Sequence, residues 1–355
     1  MSYKTALSYL TKQTATVELS NRSGGHVAVC PQWNGRIMTS CCDGFESQGF
    51  GFINVPEINR NSQNKVLCNF GGEDAWTMTP AGVSFEVEND SSDEAVLKSS
   101  ITATDANGKA AQFHLSRTIS LLDETDIETV FGTHIARVLE VPDVLSVGFV
   151  SHNAVRSNDD TVLSSRMRGM FNATDHTVLI VPLMQDTEES DRFPYRLDFL
   201  GSSPHHRIRH LPDKLLFIAD GAKRCQLSVR YNNAAAVIGS VEFRSGLLTL
   251  WTFHIPDVPA LKDETELEYV SMNTAMAAEN FLRFTNYGKT FSGVTEQMKC
   301  YEINSFSAPQ ELFPDEELTY RQYTLHINAE NEVLDEIVRE VFGVTYRQVY
   351  DKINL

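Results

Sequence analysis

The chain has 355 residues and a formal net charge of −17, from 47 acidic and 30 basic side chains. Such a charge repels phosphate backbones and anionic lipid, so we expect neither nucleic acid nor a membrane surface as partner. No apolar run reaches the roughly 18 residues of a membrane span, and the N-terminus lacks the apolar core of a signal peptide. We therefore expect a cytoplasmic protein, with a secreted or periplasmic form and the oligomeric state left open.

The predicted elements begin with a short helix over residues 3–12. A nearly continuous series of strand-like segments follows, with Asn34-Gly35 and Asn107-Gly108 as turn signals. Residues 41–72 are rich in glycine and asparagine and suggest a long surface excursion. The predicted strands are 26–29, 36–39, 83–88, 96–104, 111–121, 128–133, 144–150, 177–183, 215–219, 225–229, 236–243, 247–254, 299–305 and 318–327.

A single amphipathic helix is predicted near the C-terminus, over residues 331–342. Apolar residues recur there at helical spacing from Val333 to Val341, and Gly343 is a typical stop signal. No alternation of strands and helices indicates a parallel sheet, and no linker divides the chain. The sequence thus predicts an all-β, mainly antiparallel protein that forms one domain over residues 1–355.

Six cysteines are present, and none of them forms a CxxC motif. Only Cys41 and Cys42 lie close together in sequence, and neighbours rarely pair with each other. This spacing favours reduced thiols, as in a cytoplasmic protein. A disulfide between distant cysteines in a secreted form remains the alternative.

Glu302 is an acidic residue inside the apolar strand 299–305. A carboxylate in such a position is costly unless it is paired or has a function. In a partly dry cleft its pKa can rise toward the working pH, which suits a general base. A surface-facing strand position is the alternative.

The stretch GGEDAW at 71–76 combines a flexible backbone, two carboxylates and an indole. Glu73 and Asp74 can accept hydrogen bonds from sugar hydroxyls, and Trp76 can stack on the apolar face of a pyranose. The glycines permit a close backbone approach. The alternative is a turn with a core tryptophan.

The stretch PHHRIRH at 204–210 places His206 and His210 at a spacing that would suit a metal site on a helix. Pro204 and Pro212 make a helix unfavourable, and in a strand the two histidines would lie roughly 13 Å apart. We therefore expect no metal site and no cofactor. Arg207 is a candidate for the rim of a cleft, or else part of a solvated loop.

Further candidates lie in three short stretches. In FTNYGK, Asn286 and Tyr287 are either cleft residues or part of a turn. Local basic residues could bind an acidic sugar such as a uronate, although such charges are more often solvated or paired. These residues are Arg166, Arg168, Lys223 and Arg224. No GxxxxGK, GxSxG or HExxH motif occurs, so nucleotide hydrolysis, serine hydrolysis and zincin chemistry are poorly supported.

Three stretches together resemble the galactose mutarotase-like group, which contains the aldose 1-epimerases and their relatives. They are NGRIMTS at 34–40, YEINSFSAP at 301–309 and ELTYRQYTLHI at 317–327. The order of GGEDxW, RGMF, PxxRI, ADGxxR and YExxS motifs is closest to an uncharacterised bacterial family of the same fold. The resemblance implies an antiparallel β-supersandwich, with two large curved sheets and a carbohydrate ligand in a concave cleft.

The resemblance also implies roles for individual residues. Glu302 lies in the segment where aldose epimerases place their catalytic base, and His152 is the nearest candidate for the acid. The context of His152, VSHNAVRS, departs from the epimerase pattern because the asparagine follows the histidine. Arg36, Glu73, Asp74 and Trp76 are expected to line the same cavity as Glu302.

Two functions from different classes follow. The first is an aldose 1-epimerase-like enzyme that interconverts sugar anomers by acid–base catalysis. The alternative is a non-catalytic carbohydrate-binding protein of the same fold. An accessory domain of a carbohydrate hydrolase or lyase is a third possibility.

Overall fold

The structure is a computed structural model, and its description covers eleven stretches of the chain. These are residues 1–61, 70–75, 83–105, 108–163, 165–183, 195–198, 207–230, 237–254, 281–289, 298–307 and 310–353. No helix within these stretches is long and apolar enough to cross a membrane.

Strands dominate the described residues. In chain order they are β1 (Val17–Ser20), β2 (His26–Cys30), β3 (Arg36–Cys41), β4 (Gly72–Ala75), β5 (Glu86–Asp90), β6 (Glu94–Thr104), β7 (Ala110–Leu121), β8 (Leu145–Ser157), β9 (Thr161–Leu163), β10 (Arg166–Asn172), β11 (Thr177–Pro182), β12 (Tyr195–Asp198), β13 (Ile208–Leu211), β14 (Lys214–Ile218), β15 (Cys225–Arg230), β16 (Val237–Glu242), β17 (Leu247–His254), β18 (Phe281–Asn286), β19 (Cys300–Phe306), β20 (Gln310–Leu312) and β21 (Glu317–Asn328). The helices are α1 (Tyr3–Gln13), α2 (Val55–Asn61), α3 (Glu124–Phe131), α4 (Thr133–Leu139), α5 (Asn331–Phe342) and α6 (Tyr346–Ile353).

The strands form two large antiparallel sheets. The described part of the first has nine strands in the order β1-β2-β3-β4-β10-β19-β18-β15-β12. The second has ten, in the order β13-β14-β11-β16-β17-β21-β8-β7-β6-β5, and β20 and β9 form a separate two-stranded sheet. Strands that are distant in sequence, such as β4, β10 and β19, are therefore neighbours in space.

The two sheets pack face to face around a shared apolar core. Phe171, Leu227 and Ile303 of the nine-stranded sheet pack with Trp251 and other side chains of the ten-stranded sheet. Because side chains alternate along a strand, every second residue enters this core and the residues between them face outward. The outward face of the ten-stranded sheet is covered by helices α3 to α6.

Most of the predicted fold is confirmed. The antiparallel all-β architecture is present, and α5 has the predicted bounds of 331–342. The strand predicted over 128–133 is wrong, since α3 occupies most of it. Asp123 and Asp126 form a capping box that starts this helix.

The predicted surface excursion over residues 41–72 is also wrong where the structure describes it. Phe50 and Ile53 are 8% and 9% exposed. Helix α2 packs with α1 against β2 and β3 through a cluster that contains Ile58, Tyr3 and Met38. The glycines here allow close backbone contact between chain segments rather than exposure, as at Gly51, where an added Cβ would meet the Met38 carbonyl oxygen.

Candidate functional site

A row of polar residues crosses the nine-stranded sheet on the side turned away from the ten-stranded sheet. Asp74 lies opposite Arg168, Arg168 opposite Asn304, and Asn304 opposite Arg283. Cross-strand partners share one face of a sheet, and the residues that alternate with them belong to the shared core. We name this surface the outward polar face. It comprises Asp74, Arg166, Arg168, Arg283, Thr285, Glu302 and Asn304.

Asp74 is bound by two arginines at the edge of this face. Arg168 donates from Nε to Oδ1 at 2.9 Å and from Nη2 to Oδ2 at 2.7 Å, which is the bidentate geometry of a strong ion pair. Arg36 contacts the same Oδ2 and donates from Nη1 to the Gly71 carbonyl at 2.8 Å. Burial alone would raise the pKa of Asp74, but Arg168 and Arg36 lower it well below its ordinary range.

The two glycines before this acidic pair are required by the backbone. Gly71 and Gly72 have φ values of +98° and +67°. A Cβ at Gly71 would lie 1.8 Å from the carbonyl oxygen of Phe52, which no side chain can tolerate. The close backbone approach expected of this stretch is therefore present, although its contact is with protein backbone.

Glu302 lies on the outward polar face, opposite Met170 of β10 and Thr285 of β18, and is 5% exposed. Tyr287 donates from Oη to Oε2 at 2.7 Å, while Oε1 accepts from Asn304 Nδ2 and, at 3.4 Å, from Arg166 Nη2. Burial raises its pKa, but Arg168 and Arg166 lower it more, and the net pKa lies below the ordinary value. Glu302 is therefore ionised at neutral pH, contrary to the expectation of a raised pKa.

Glu73 points to the opposite side of the sheet from Asp74 and Glu302. Its Oε2 accepts a hydrogen bond from Thr324 Oγ1 at 2.8 Å and another from Gln322, both on β21 of the facing sheet. Burial raises the pKa of Glu73 to about 7. The structure thus brings Arg36 and Asp74 together on one face but places Glu73 between the sheets, because adjacent strand residues alternate.

His152 does not lie near Glu302. It lies on β8 of the ten-stranded sheet, opposite Arg321 and Thr118. Its neighbours Ser151 and Asn153 are buried toward the core, so His152 faces the other way, as does Val150, which packs in the helix-covered cluster. Both sheets therefore separate His152 from Glu302, and the geometry does not support the two as an acid–base pair.

Arg207 and Asn286 meet at a loop. Arg207 Nη1 contacts Asp220 Oδ1 at 2.5 Å, and Asn286 Nδ2 donates to the same oxygen at 3.2 Å. Asn286 also donates to the Lys223 carbonyl at 2.7 Å and accepts from the Gly221 amide at 2.8 Å. These contacts give Asn286 a clear structural role in holding the loop against β18.

Two predicted groups lie outside the described residues. One is Trp76, the aromatic member of the GGEDAW stretch, and the other is the pair His205 and His206. Within the stretches that the structure describes, no group of three or more histidine, cysteine or acidic side chains is placed to hold a metal ion.

Sequence reasoning missed Asn304, Arg283 and Phe306 as neighbours of Glu302. Asn304 and Phe306 follow Glu302 at a spacing of two, so strand alternation alone places them on its face. Arg283 lies on a different strand, and only the register of β18 with β19 brings it there.

The two packed antiparallel sheets, one with a polar outward face, define a galactose mutarotase-like β-supersandwich. Solved structures share this fold. The Slr1438 protein of Synechocystis sp. PCC 6803 is 10% identical with a TM-score of 0.51, over 89% of this chain and 96% of that one. A "putative aldose 1-epimerase" from Escherichia coli K12 is 8% identical with a TM-score of 0.50, over 89% and 99%. At these identities the likeness shows the fold alone.

The chain belongs to the family described as "Family of unknown function (DUF6786)", whose profile matches residues 1–87 and 83–353. A search of curated proteins found no match.

Proposed function

We propose that the outward polar face of the nine-stranded sheet binds a carbohydrate. The observation that carries this proposal is the convergence of Asp74, Arg168, Glu302 and Asn304 on one face from three strands. A sugar presents hydroxyl groups that both donate and accept, so its site needs charged acceptors and donors in fixed positions. The name of the E. coli structural neighbour is consistent with a ligand of this class.

The rigidity of these groups also supports a binding role. Asp74 is fixed by two arginines, and Glu302 by Tyr287, Arg166 and Asn304. A site whose polar groups are already ordered loses less conformational entropy when a ligand arrives.

A second candidate is interconversion of sugar anomers, with Glu302 as the base. The observation that favours it is an ionised carboxylate on this face that accepts a hydrogen bond from the protonated hydroxyl of Tyr287. The lowered pKa makes Glu302 a weaker base, and His152 lies on the other sheet. Among the described residues no histidine hydrogen-bonds to Glu302. Binding without catalysis is therefore the function that the geometry favours.

Replacing Glu302 by glutamine should weaken carbohydrate binding by about 10- to 100-fold, the loss typical of one hydrogen bond to a charged group. Binding is measured by calorimetry with the best ligand from a glycan array, and anomer exchange by NMR with α-D-glucose and α-D-galactose. Unchanged binding by a folded Glu302→Gln variant would refute the proposed site. If sugar anomers exchange only at the uncatalysed rate in the presence of the wild-type protein, the catalytic candidate is excluded and the binding proposal is unaffected.

Glu340→Gln is a matched control for this experiment. Glu340 is exposed on α5, on the far side of the ten-stranded sheet, and its replacement should leave binding unchanged. If Glu302→Gln fails to fold, Tyr287→Phe tests the same site without altering a charge. That variant removes the hydroxyl that donates to Glu302 and should weaken binding to a smaller extent.

We also propose that the chain acts as a single domain. The core between the sheets draws on strands from both halves of the sequence, from Ala75 on β4 to Tyr320 on β21. Separately expressed halves would each expose one side of this core, so neither should give the cooperative unfolding of the whole chain.

A further inference from the structure

Arg166 is more accessible than Glu302, Asp74 and Arg168, three other charged groups of the same network. Its side chain is 26% exposed, whereas those of Glu302, Asp74 and Arg168 are 6%, 8% and 8% exposed. Its Nε donates to Asn304 at 2.8 Å, but its contact with Glu302 through Nη2 is long, at 3.4 Å. Nη1 has no hydrogen-bond partner among the described residues. Arg166 therefore retains capacity to bind a further group at the surface of the face.

A phenylalanine holds Arg166 beside a second arginine. The guanidinium carbon of Arg166 lies 5.4 Å from the centroid of the Phe306 ring, and that of Arg283 lies 5.2 Å from the same centroid. Cation–π contacts of this kind orient a guanidinium without neutralising it. Phe306 therefore places the guanidinium of Arg166 next to that of Arg283.

The described outward polar face carries more positive than negative groups, in a chain whose net charge is −17. Asp74 is engaged by Arg36 and Arg168 together, and Glu302 is the carboxylate that contacts Arg166. Burial lowers the pKa of Arg166, and the positive charge of Arg168 lowers it further. An anionic ligand group would offset both effects and would make the charge-assisted, fork-shaped contact for which arginine is suited.

We propose that Arg166, positioned by Phe306 next to Arg283, recognises an anionic substituent of the bound carbohydrate. The substituent is a carboxylate, as in a uronate, or a phosphate or sulfate ester. This inference rests on the proposed function, because it assigns the anion to the same ligand. The strongly acidic chain makes a nucleic acid an unsuitable source of that anion.

The test compares acidic and neutral members of one sugar series. D-glucuronate, D-galacturonate and D-glucose 6-phosphate are titrated against D-glucose and D-galactose, and a glycan array with uronate, sulfated and neutral glycans extends the comparison. We expect at least ten-fold tighter binding of one acidic class, weakening as salt is raised. Comparing the affinity for the uronates with the affinity for the phosphate and sulfate esters then identifies the kind of anion that binds.

Arg166→Met keeps most of the apolar length of the side chain and removes its charge. We expect it to weaken the binding of acidic sugars at least ten-fold more than the binding of neutral sugars, which lose only the contact that Arg166 makes with Glu302. Arg156→Met is the matched control, since Arg156 lies on β8 in the other sheet and pairs with Glu317. Arg166→Lys should restore part of the preference, because it keeps the charge but lacks the fork.

The outcomes separate this inference from the proposed function. Equal affinity for neutral and acidic sugars would overturn the inference and leave carbohydrate binding intact. Equal loss of both sugar classes in Arg166→Met would also overturn it, because the arginine would then support the site as a whole. No binding to any sugar or glycan would overturn both proposals.

Discussion

Replacing Asp74 by asparagine should lower the free energy of unfolding by about 3–5 kcal/mol, the usual cost of removing one partner of a buried ion pair. Arg36 is fully buried and shares Asp74 with Arg168. Asparagine keeps the shape but not the charge, so two guanidiniums would lose their common anion. Burial already lowers the pKa of Arg36, to about 10, and without Asp74 the cost of its charge would be larger.

Urea unfolding followed by circular dichroism measures this effect. Asp43→Asn is the matched control, because Asp43 is exposed, and it should change stability by less than about 0.5 kcal/mol. A loss below about 1 kcal/mol for Asp74→Asn would show that Arg36 and Arg168 are stabilised mainly by other groups.

Replacing Glu73 by glutamine should change how stability depends on pH. The pKa of Glu73 is about 7 in the folded protein and 4.5 in the reference state. Between these values the folded chain keeps a proton that the unfolded chain has lost. The contribution of Glu73 to the free energy of unfolding of the wild-type protein therefore falls by about 1.4 kcal/mol for each unit that the pH rises. Relative to wild type, Glu73→Gln should therefore gain about 3 kcal/mol as pH rises from 4.5 to 7.

His326 has the opposite effect over nearly the same window. Burial lowers its pKa from 6.5 to about 3, so the unfolded chain binds a proton that the folded chain does not. Stability through His326 thus rises with pH up to about 6.5. Between about pH 4.5 and 6.5 the loss of stability through Glu73 offsets the gain through His326 in the wild-type protein. In Glu73→Gln only the gain through His326 remains.

The measurement is urea unfolding of both proteins at half-unit steps from pH 4.5 to 7.5. The expected pattern is a nearly flat wild-type curve and a variant curve that rises with pH. Parallel curves would mean that Glu73 is ionised in the folded protein and paired, for instance with the buried Arg117. Glu340→Gln should follow the wild-type curve.

Strands and the C-terminal helix could be predicted from sequence because their side-chain patterns are local. Alternation gave β6, β7, β17 and β21 almost to the residue, and a helical apolar stripe gave α5. The strand propensity of Val130 and Phe131 predicts a strand where α3 forms, whereas the start of this helix is set by the capping residues Asp123 and Asp126. A capping signal weighed against strand propensity would have corrected this segment.

The candidate site was only partly predictable. The sequence singles out Glu302 because a carboxylate in an apolar strand is costly, and Asp74 because it lies beside glycines and an indole in a stretch that suits a sugar. Which face each carboxylate occupies depends on strand register, and a shift of one residue separates Asp74 from Glu73. The separation of His152 from Glu302 depends on which sheet β8 joins, a long-range choice that no local pattern around His152 encodes.

The alternation of residues along β4, β10 and β19 has a consequence for how such proteins diverge. Tyr301 and Ile303 pack in the core between the sheets, whereas Glu302 and Asn304, which alternate with them, face outward and do not pack in that core. Under the proposed function, changes at the outward positions would alter which ligand binds without disturbing the packing of the two sheets, except at Asp74, which pairs with two arginines. The two alternating sets of positions along one strand are therefore under separate physical constraints, one from sheet packing and one from the polar network.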